Sequence, residues 1–161
     1  MTLITYYKRD EPVRVNLFLP GLKAATVKQV YQNIALSAAQ DTGLSPAYVF
    51  EHMLDQELRE GSAIGAGVAL PHLRLKKLSH PFLLFARIDR PVDFSALDRQ
   101  DVDIVALLLS PYADVPSHLF RLSRLTRMLR DVAFCRTVRS IGTQDELEAL
   151  FVEAQRDLRT A

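Results

Sequence analysis

Two of the four histidines lie at positions from which a fold usually presents reactive groups. His72 follows a proline at the end of a glycine-bearing apolar stretch, residues 61–72, and His118 falls in the first turn of a predicted helix. Imidazole is a nucleophile and a hydrogen-bond donor near neutral pH, and a helix N-terminus adds free backbone N–H groups. The pair predicts an anion site in which His72 carries a phosphoryl group exchanged with a partner and a protonated His118 stabilises it.

The stretch before His72 is glycine-rich, and its backbone N–H groups are further candidate anion ligands. Gly65 and Gly67 permit positive φ or the close approach of another group. The apolar residues between 64 and 70 favour one strand, which ends at Pro71 because proline cannot donate to a sheet ladder. The simpler interpretation is a glycine-containing strand followed by an ordinary loop histidine, and the residues alone leave both interpretations open.

Other chemistries have less support in the sequence. His52 on a polar helix face and His80 before a proline are expected to be solvated surface residues. The sequence contains no phosphate-binding glycine loop, no Cys/His metal spacing and no G-x-S-x-G elbow. A metal held by the other two histidines lacks a third and fourth ligand, and a hydrolase lacks a carboxylate pair beside either of them. We therefore expect no metal and no cofactor.

Length and composition predict one globular domain spanning residues 1–161. Hydrophobic residues make up 48% of the chain and the net charge is +1, so nothing indicates a nucleic-acid partner. No apolar run approaches the roughly 20 residues that span a bilayer, and the N-terminus does not resemble a signal peptide. A single cysteine, Cys135, fits packing in a reducing cytoplasm. We expect a cytoplasmic protein without membrane insertion.

Hydrophobic periodicity predicts an α/β fold, a single-domain sandwich whose mixed parallel and antiparallel β-sheet is covered by helices on both faces. Two nearly continuous apolar runs, 82–88 and 103–109, indicate strands buried on both sides. No helix is predicted between the strands at 64–70 and 82–88, which favours antiparallel neighbours and a mixed sheet. The other predicted elements are a strand at 13–19 closed by Pro20-Gly21, and helices at 26–42, from Ser45-Pro46, from 117 or 118, at 134–140 and from Thr143.

The helix that begins near His118 carries a regular series of arginines. Its apolar face is expected to run from Leu119 to Val132, with the arginines at positions 121, 124, 127 and 130 on a solvated face. The acidic helix that follows balances their charge. These arginines are therefore interpreted as surface residues.

A longer motif surrounds His72. Residues 54–72 resemble the phosphohistidine motif of enzyme IIA of the bacterial phosphotransferase system, in its fructose/mannitol and nitrogen-regulatory type. The resemblance rests on Glu57, Ser62, Ile64-Gly65 and the run Gly67-Val68-Ala69-Leu70-Pro71-His72. Three later stretches, 91–98, 102–109 and 117–123, match the family in the same order. The resemblance extends over nearly the whole chain, from roughly residue 13 to residue 158.

The resemblance implies that His72 is the phosphoacceptor and that His118 helps to hold the phosphoryl group. Glu57, Ser62, Gly65 and Gly67 are the supporting site residues that it implies. The implied donor is a small phosphocarrier protein similar to HPr. The group then either passes to a sugar-transporter IIB domain or, in nitrogen-regulatory members, controls the binding of regulated target proteins. A free-standing chain without a transporter segment favours the regulatory type.

This chain departs from the family motif beside the expected phosphoacceptor. Gln56 stands where the family has an arginine, so Arg59 or Arg74 is the candidate to supply the missing cation. Leu73 stands where a glycine usually follows the histidine, and we expect it on the rim where a carrier would dock.

Two hypotheses therefore stay open, a phosphotransferase component and a docking-only regulatory module that has lost efficient transfer. Two imidazoles in one crevice, about 5–7 Å ring to ring, would favour phosphotransfer. Imidazoles on separate faces of the molecule would favour docking alone.

Overall fold

Strands at the centre and helices on both faces follow from where the chain places its apolar residues. Over residues 12–160, the part of the chain that the computed structural model describes, there are six strands and five helices. In chain order they are β1 (Leu17–Leu22), α1 (Val27–Thr42), α2 (Pro46–Glu60), β2 (Ala63–Gly65), β3 (Val68–Ala69), β4 (His72–Leu75), β5 (Phe82–Val92), β6 (Val102–Pro111), α3 (Val115–Leu129), α4 (Val132–Ser140) and α5 (Gln144–Thr160). The predicted α/β architecture is confirmed.

β6 is the central strand of the sheet. Most of its length pairs antiparallel with β5, for example Leu107 opposite Leu84, and β1 pairs parallel with the far side of β5. On its other side β6 pairs parallel with two short strands placed end to end, β3 and then β4. β2 completes the order β1-β5-β6-β3-β2, so the sheet is mixed, as predicted.

Two hydrophobic clusters fill the space between the sheet and its covering helices. α1 and α2 pack on one face through side chains such as Ile34 and Met53, both fully buried. α3, α4 and α5 pack on the other face through residues such as Phe151. Neighbouring residues of β6, such as Leu107 and Leu108, enter opposite clusters, as the two-residue repeat of a strand requires.

Local signals set the ends of the two helices on the first face. Thr26 Oγ1 accepts from Gln29 N at 3.2 Å and begins α1, and Ser45 Oγ accepts from Tyr48 N at 3.4 Å and begins α2. Gly43 ends α1 in the left-handed region, with φ of 77°, where a side chain would be strained. These boundaries agree with the predicted ones.

The last two helices also begin at side-chain caps. Thr143 Oγ1 accepts from Glu146 N at 3.2 Å at the start of α5, as predicted. Asp131 caps α4 by accepting from Ala133 N, so α4 is slightly longer than the predicted 134–140 helix. Cys135 is buried within α4, in agreement with a packing role.

α3 begins and ends earlier than predicted. It starts at Val115 because Pro116 fits its first turn. The N–H groups of a first turn have no partner within the helix, so the N–H that proline lacks costs no hydrogen bond. It ends before Val132, which belongs to α4 and is exposed, and Leu119 is exposed as well. The predicted apolar face is therefore wrong at both of its ends, although Leu125 in its middle is fully buried.

The first strand also differs from the prediction at both ends. β1 begins at Leu17, whereas Val13 is held by the side chain of Gln155 through hydrogen bonds of 2.7 and 2.8 Å. Pro20-Gly21 lies inside the strand rather than closing it. Proline is tolerated there because β1 is an edge strand, whose pairing with β5 shifts register after Leu19.

The glycine stretch before His72 folds into a tight hairpin, so the prediction of one strand over 64–70 is wrong. β2 and β3 pair antiparallel around Gly65-Ala66-Gly67, whose φ values are 97°, 55° and 79°. Three consecutive residues with positive φ reverse the chain within a few residues, and glycine adopts such angles without a steric penalty.

Charged side chains from two other parts of the chain hold this turn. Asp98 accepts a hydrogen bond from Ala66 N at 2.8 Å. Arg139 donates to Ala66 O at 2.9 Å and forms an ion pair with Asp103 at 2.8 Å. The hairpin is therefore fastened to α4 and to the start of β6.

β4 resumes the ladder directly after Pro71. The carbonyl of Pro71 accepts from Leu108 N at 3.0 Å, and β4 then pairs parallel with β6, His72 opposite Leu108. His72 therefore opens a strand instead of following one. The predicted end of strand structure at Pro71 is therefore wrong, because the alternating side chains of β4 bury Leu73 and Leu75.

We expect Gly67→Ala to destabilise the protein by about 1–3 kcal/mol, because its φ of 79° is strained for alanine. A Cβ there would also lie 3.0 Å from the Arg139 guanidinium and 3.1 Å from Asp103 Oδ1. Urea unfolding monitored by circular dichroism measures the loss. Gly142→Ala is the matched control, since a Cβ at that position meets nothing within 4 Å. Equal stability of the two variants would contradict this account of the turn.

Candidate functional site

The ring of His72 is held in one orientation by the chain just before it. His72 Nδ1 lies 3.0 Å from the carbonyl oxygen of Leu70. Because a carbonyl oxygen only accepts hydrogen bonds, Nδ1 carries the proton and Nε2 keeps its lone pair. The half-buried imidazole is therefore prepared to react through Nε2.

Gln56 on α2 holds the backbone of His72. Its Nε2 donates to His72 O at 2.5 Å, and its Oε1 accepts from His72 N at 3.1 Å. This pair of hydrogen bonds satisfies both backbone groups of His72 along the outer edge of β4. The glutamine that departs from the family motif thus positions the histidine and supplies no charge.

His118 faces His72 from the first turn of α3. The two ring centroids are 5.7 Å apart, with the planes tilted by 34°. Both rings line one open cavity of about 350 Å³, here called the histidine crevice. His52, Gln56, Arg59, Arg74 and Tyr112 are among the other residues that line it. This spacing lies within the range that we expected of a phosphotransfer site.

The surroundings of His118 favour its neutral form. Its side chain is buried, at 5% exposure, and burial is the largest cause that lowers its pKa to about 4. The nearby His72, Arg121 and Arg74 lower the pKa further, while Asp114 opposes them. His118 is therefore neutral near pH 7 in the unphosphorylated protein, and the expectation of a protonated His118 beside a phosphoryl group on His72 stays a prediction.

Ser110 and Arg121 complete the surroundings of His118, and neither role is predicted from the sequence. Ser110, at the end of β6, is fully buried, and its Oγ lies 2.8 Å from His118 Nδ1. Arg121 donates to the same Oγ at 3.0 Å and pairs with Asp114 at 3.3 Å. The interpretation of Arg121 as a solvated residue is wrong, because its side chain is only 14% exposed. Its spacing from His118, three residues along one helix, was the available signal.

Two further arginines border the histidine crevice, as expected of candidates for the missing cation. Arg74 donates to Tyr112 O at 2.9 Å, and its guanidinium lies 5.0 Å from the centre of the Tyr112 ring. Arg59 forms an exposed ion pair with Asp55 at 2.8 Å. Both remain on the rim, where solvent screens their charge.

The structure places the other expected supporting residues elsewhere. Tyr31 OH donates to Glu57 at 2.6 Å and lies 2.8 Å from Ser62 Oγ, in a mostly buried network behind the hairpin. Burial, followed by the charge of Glu57, raises the pKa of Tyr31. Gly65 and Gly67 form the hairpin turn and do not line the histidine crevice. None of these four residues is among those that line the histidine crevice.

Leu73 and His52 also differ in how well the sequence predicted them. Leu73 lines the histidine crevice, but its side chain is only 9% exposed and packs in the hydrophobic cluster beneath α1 and α2, so the expected exposed apolar side chain on the docking rim is wrong. The alternation of β4 turns His72 outward and the next side chain inward. His52 is exposed, as expected, although it lies beside the histidine crevice.

Two features of other classes of protein are absent from the described residues. Within residues 12–160, no three His, Cys, Asp or Glu side chains are grouped so that they could hold a metal ion. No helix in that part of the chain is long and apolar enough to cross a bilayer.

The chain belongs to the family described as the phosphoenolpyruvate-dependent sugar phosphotransferase system, EIIA 2, which it matches over residues 12–154.

Among its relatives are proteins with a regulatory name. The chain is 45% identical over 122 residues to the nitrogen regulatory protein of Bradyrhizobium diazoefficiens, covering 76% of this chain and 80% of that protein. The crystal structure of nitrogen regulatory protein IIA-Ntr from Neisseria meningitidis has a TM-score of 0.78 and 26% identity, over 84% of this chain and 92% of that one.

A mannitol protein shares the same fold. The complex of enzyme IIAMTL with phosphorylated enzyme IIBMTL from Escherichia coli contains a chain with a TM-score of 0.70 and 21% identity to this one. The match covers 86% of this chain and 94% of that one.

We expect the free energy of unfolding to fall as pH drops from about 6.5 to about 4, in part because of His118. Its pKa is depressed only in the folded state, so the unfolded chain binds a proton through this range that the folded chain does not. Urea unfolding between pH 7 and 4.5 should therefore show a steeper loss for the wild type than for His118→Gln. Parallel curves would contradict a neutral buried His118.

We expect Gln56→Ala to cost about 1–3 kcal/mol of unfolding free energy, because two backbone groups of His72 lose their partners. Gln56→Glu keeps the size of the side chain but removes the donor, so it should be destabilised as well. Gln40→Ala on the exposed side of α1 is the control and should change stability by less than about 0.5 kcal/mol. Chemical denaturation measures the stability of all three variants. An unchanged stability of Gln56→Ala would contradict a stabilising role for the two hydrogen bonds between Gln56 and the backbone of His72.

Proposed function

We propose that this chain is a phosphohistidine carrier that accepts a phosphoryl group on His72 and signals through its phosphorylation state. The observation that carries the proposal is the pairing of His72 and His118 across one open crevice, with ring centroids 5.7 Å apart. The hydrogen bond from His72 Nδ1 to Leu70 O adds to it, because it leaves Nε2 as the nucleophile.

The proposed donor is a small phosphocarrier protein similar to HPr. The lone pair of His72 Nε2 attacks the phosphorus atom of the carrier's phosphohistidine, and a new N–P bond forms in line with the bond that breaks. The electron pair of the broken bond returns to the carrier's imidazole. The Nδ1 proton of His72 stays on the hydrogen bond to Leu70, and no metal takes part in the step.

The charges around the crevice suit a phosphoryl group that arrives on a protein. Arg74 and Arg59 border the crevice and would attract the anion, and the neutral His118 would donate a hydrogen bond to it. The exposed side chains of Tyr112 and Leu119 lie on the same rim and offer apolar contact to a protein partner. An open crevice of this kind fits a protein substrate better than a free small molecule.

The regulatory output is favoured by the relatives that carry the name nitrogen regulatory protein. On this proposal, phosphorylation at His72 controls which target proteins the chain binds. The mannitol protein that is solved with a phosphorylated IIB partner supports the alternative output, transfer to a sugar-transporter IIB domain. The buried free thiol of Cys135 is consistent with a reducing cytoplasm as the proposed location.

A docking-only regulatory module is the second candidate, and Gln56 is the observation that favours it. The family's arginine would place a cation close to the phosphoryl group, whereas Gln56 binds only the backbone of His72. Such a module would bind its partners through the same surface without accepting phosphate.

Incubation with phosphoenolpyruvate, enzyme I and a cognate carrier tests the proposal. We expect acid-labile phosphate on the wild type and none on His72→Ala, because His72 is the crevice histidine whose Nδ1 hydrogen bond to a carbonyl oxygen leaves Nε2 as a nucleophile. His80→Ala, outside the histidine crevice, is the control and should keep the label, while His118→Ala should slow its appearance by about tenfold or more. An unlabelled wild type that still binds its target as tightly as His72→Glu would overturn the proposal in favour of the docking-only module.

A further inference from the structure

A chain of hydrogen bonds runs behind His118, on the side of the ring away from His72. Asp114 accepts from Arg121 at 3.3 Å, and Arg121 donates to Ser110 Oγ at 3.0 Å. Ser110 Oγ in turn lies 2.8 Å from His118 Nδ1. Because Ser110 is fully buried, water does not replace the partners of its hydroxyl.

The hydrogen bonds of Ser110 determine which nitrogen of His118 carries the proton. A guanidinium only donates, so the hydroxyl of Ser110 accepts from Arg121 and has a single proton of its own to place. Within the described part of the chain, its other hydrogen-bond partner is His118 Nδ1. A proton on Nδ1 would leave the buried hydroxyl proton without an acceptor, whereas a bare Nδ1 satisfies it. His118 therefore carries its proton on Nε2.

We propose that Ser110 and Arg121 are positioning residues that hold His118 as a neutral Nε2–H donor directed into the histidine crevice. Nδ1 faces Ser110, so the Nε2 edge of the ring is the one left to the crevice. The positive charge of Arg121 also disfavours a second proton on the ring.

The value of this arrangement rests on the proposed function. A neutral donor makes a weaker hydrogen bond to a phosphoryl oxygen than an imidazolium ion does, so it holds the group without trapping it. An Nδ1–H tautomer would present a lone pair to the phosphoryl oxygens and repel them. The hydroxyl of Ser110 thus determines whether His118 helps or hinders the anion on His72.

The position of the Arg121 side chain is not explained by its contribution to stability alone. Among the described residues, its Nε is a buried donor without a hydrogen-bond partner. An unpartnered buried donor is rare and unfavourable in native proteins. The side chain keeps this position, with Nε unpartnered, while its Nη2 donates to both Ser110 and Asp114.

The tautomer is measured directly by ¹⁵N-detected NMR of the histidine rings in the unphosphorylated protein. We expect one neutral species in the wild type, with His118 Nδ1 bare and Nε2 protonated. Ser110→Ala should produce a mixture of tautomers, and Ser110→Thr, which keeps the hydroxyl, should restore the wild-type signal. Arg121→Gln offers the hydroxyl an acceptor, so it should raise the Nδ1–H fraction. Ser37→Ala on α1 is the matched control and should change nothing.

Transfer rates separate this inference from the proposed function. With phosphorylated carrier, Ser110→Ala should be phosphorylated about three- to tenfold more slowly than the wild type, and Ser110→Thr at close to the wild-type rate. A proton found on Nδ1 of the wild type, or an unchanged tautomer in Ser110→Ala, would overturn the inference even where transfer is intact. An unlabelled wild type with the expected tautomers would overturn only the proposed function.

Discussion

The ladder between β4 and β6 is the constraint on which the rest of the site depends. Parallel pairing sets His72 opposite Leu108 and Arg74 opposite Ser110, so β6 fixes the position of His72 and also carries the serine that contacts His118. The same strand leads within a few residues into α3, which carries His118. Both imidazoles are thus positioned relative to β6, and their separation of 5.7 Å follows from strand register more than from direct contact.

The buried elements were predictable because their residues carry strong and redundant signals. The apolar runs that became β5 and β6 admit no other placement than a sheet covered on both faces. The caps at Thr26 and Ser45 act within a single turn, so they can be read locally. Elements whose bounds depend on distant partners were less well predicted. β1 is an edge strand set by its pairing with β5, and the hairpin turn is held by Asp98 and Arg139 from elsewhere in the chain.

In the candidate site, too, features set by local sequence signals were predicted and features set by distant partners were not. His72 and His118 could be predicted as site residues because strand ends and helix starts have local sequence signals. The family motif marks the same two residues. Their environment could not be found in this way. The inward turn of Arg121, the neutral state of His118 and the buried position of Leu73 all follow from three-dimensional burial. Spacing along a helix or strand limits the neighbours of a side chain, but it does not assign a charge or a proton to it.

The amide of Gln56 has a consequence for how a phosphorylated state would be recognised. Because this side chain is neutral, the bonds that hold α2 against β4 do not depend on the charge carried by the imidazole of His72. An arginine in its place would be drawn toward an added anion and would pull on the helix. In this chain a phosphoryl group would instead change the electrostatic potential at the mouth of the crevice while the backbone around it keeps its shape. A partner that distinguishes the phosphorylated from the unphosphorylated state would then respond to surface charge. Its difference in affinity for the two states would decrease with increasing ionic strength.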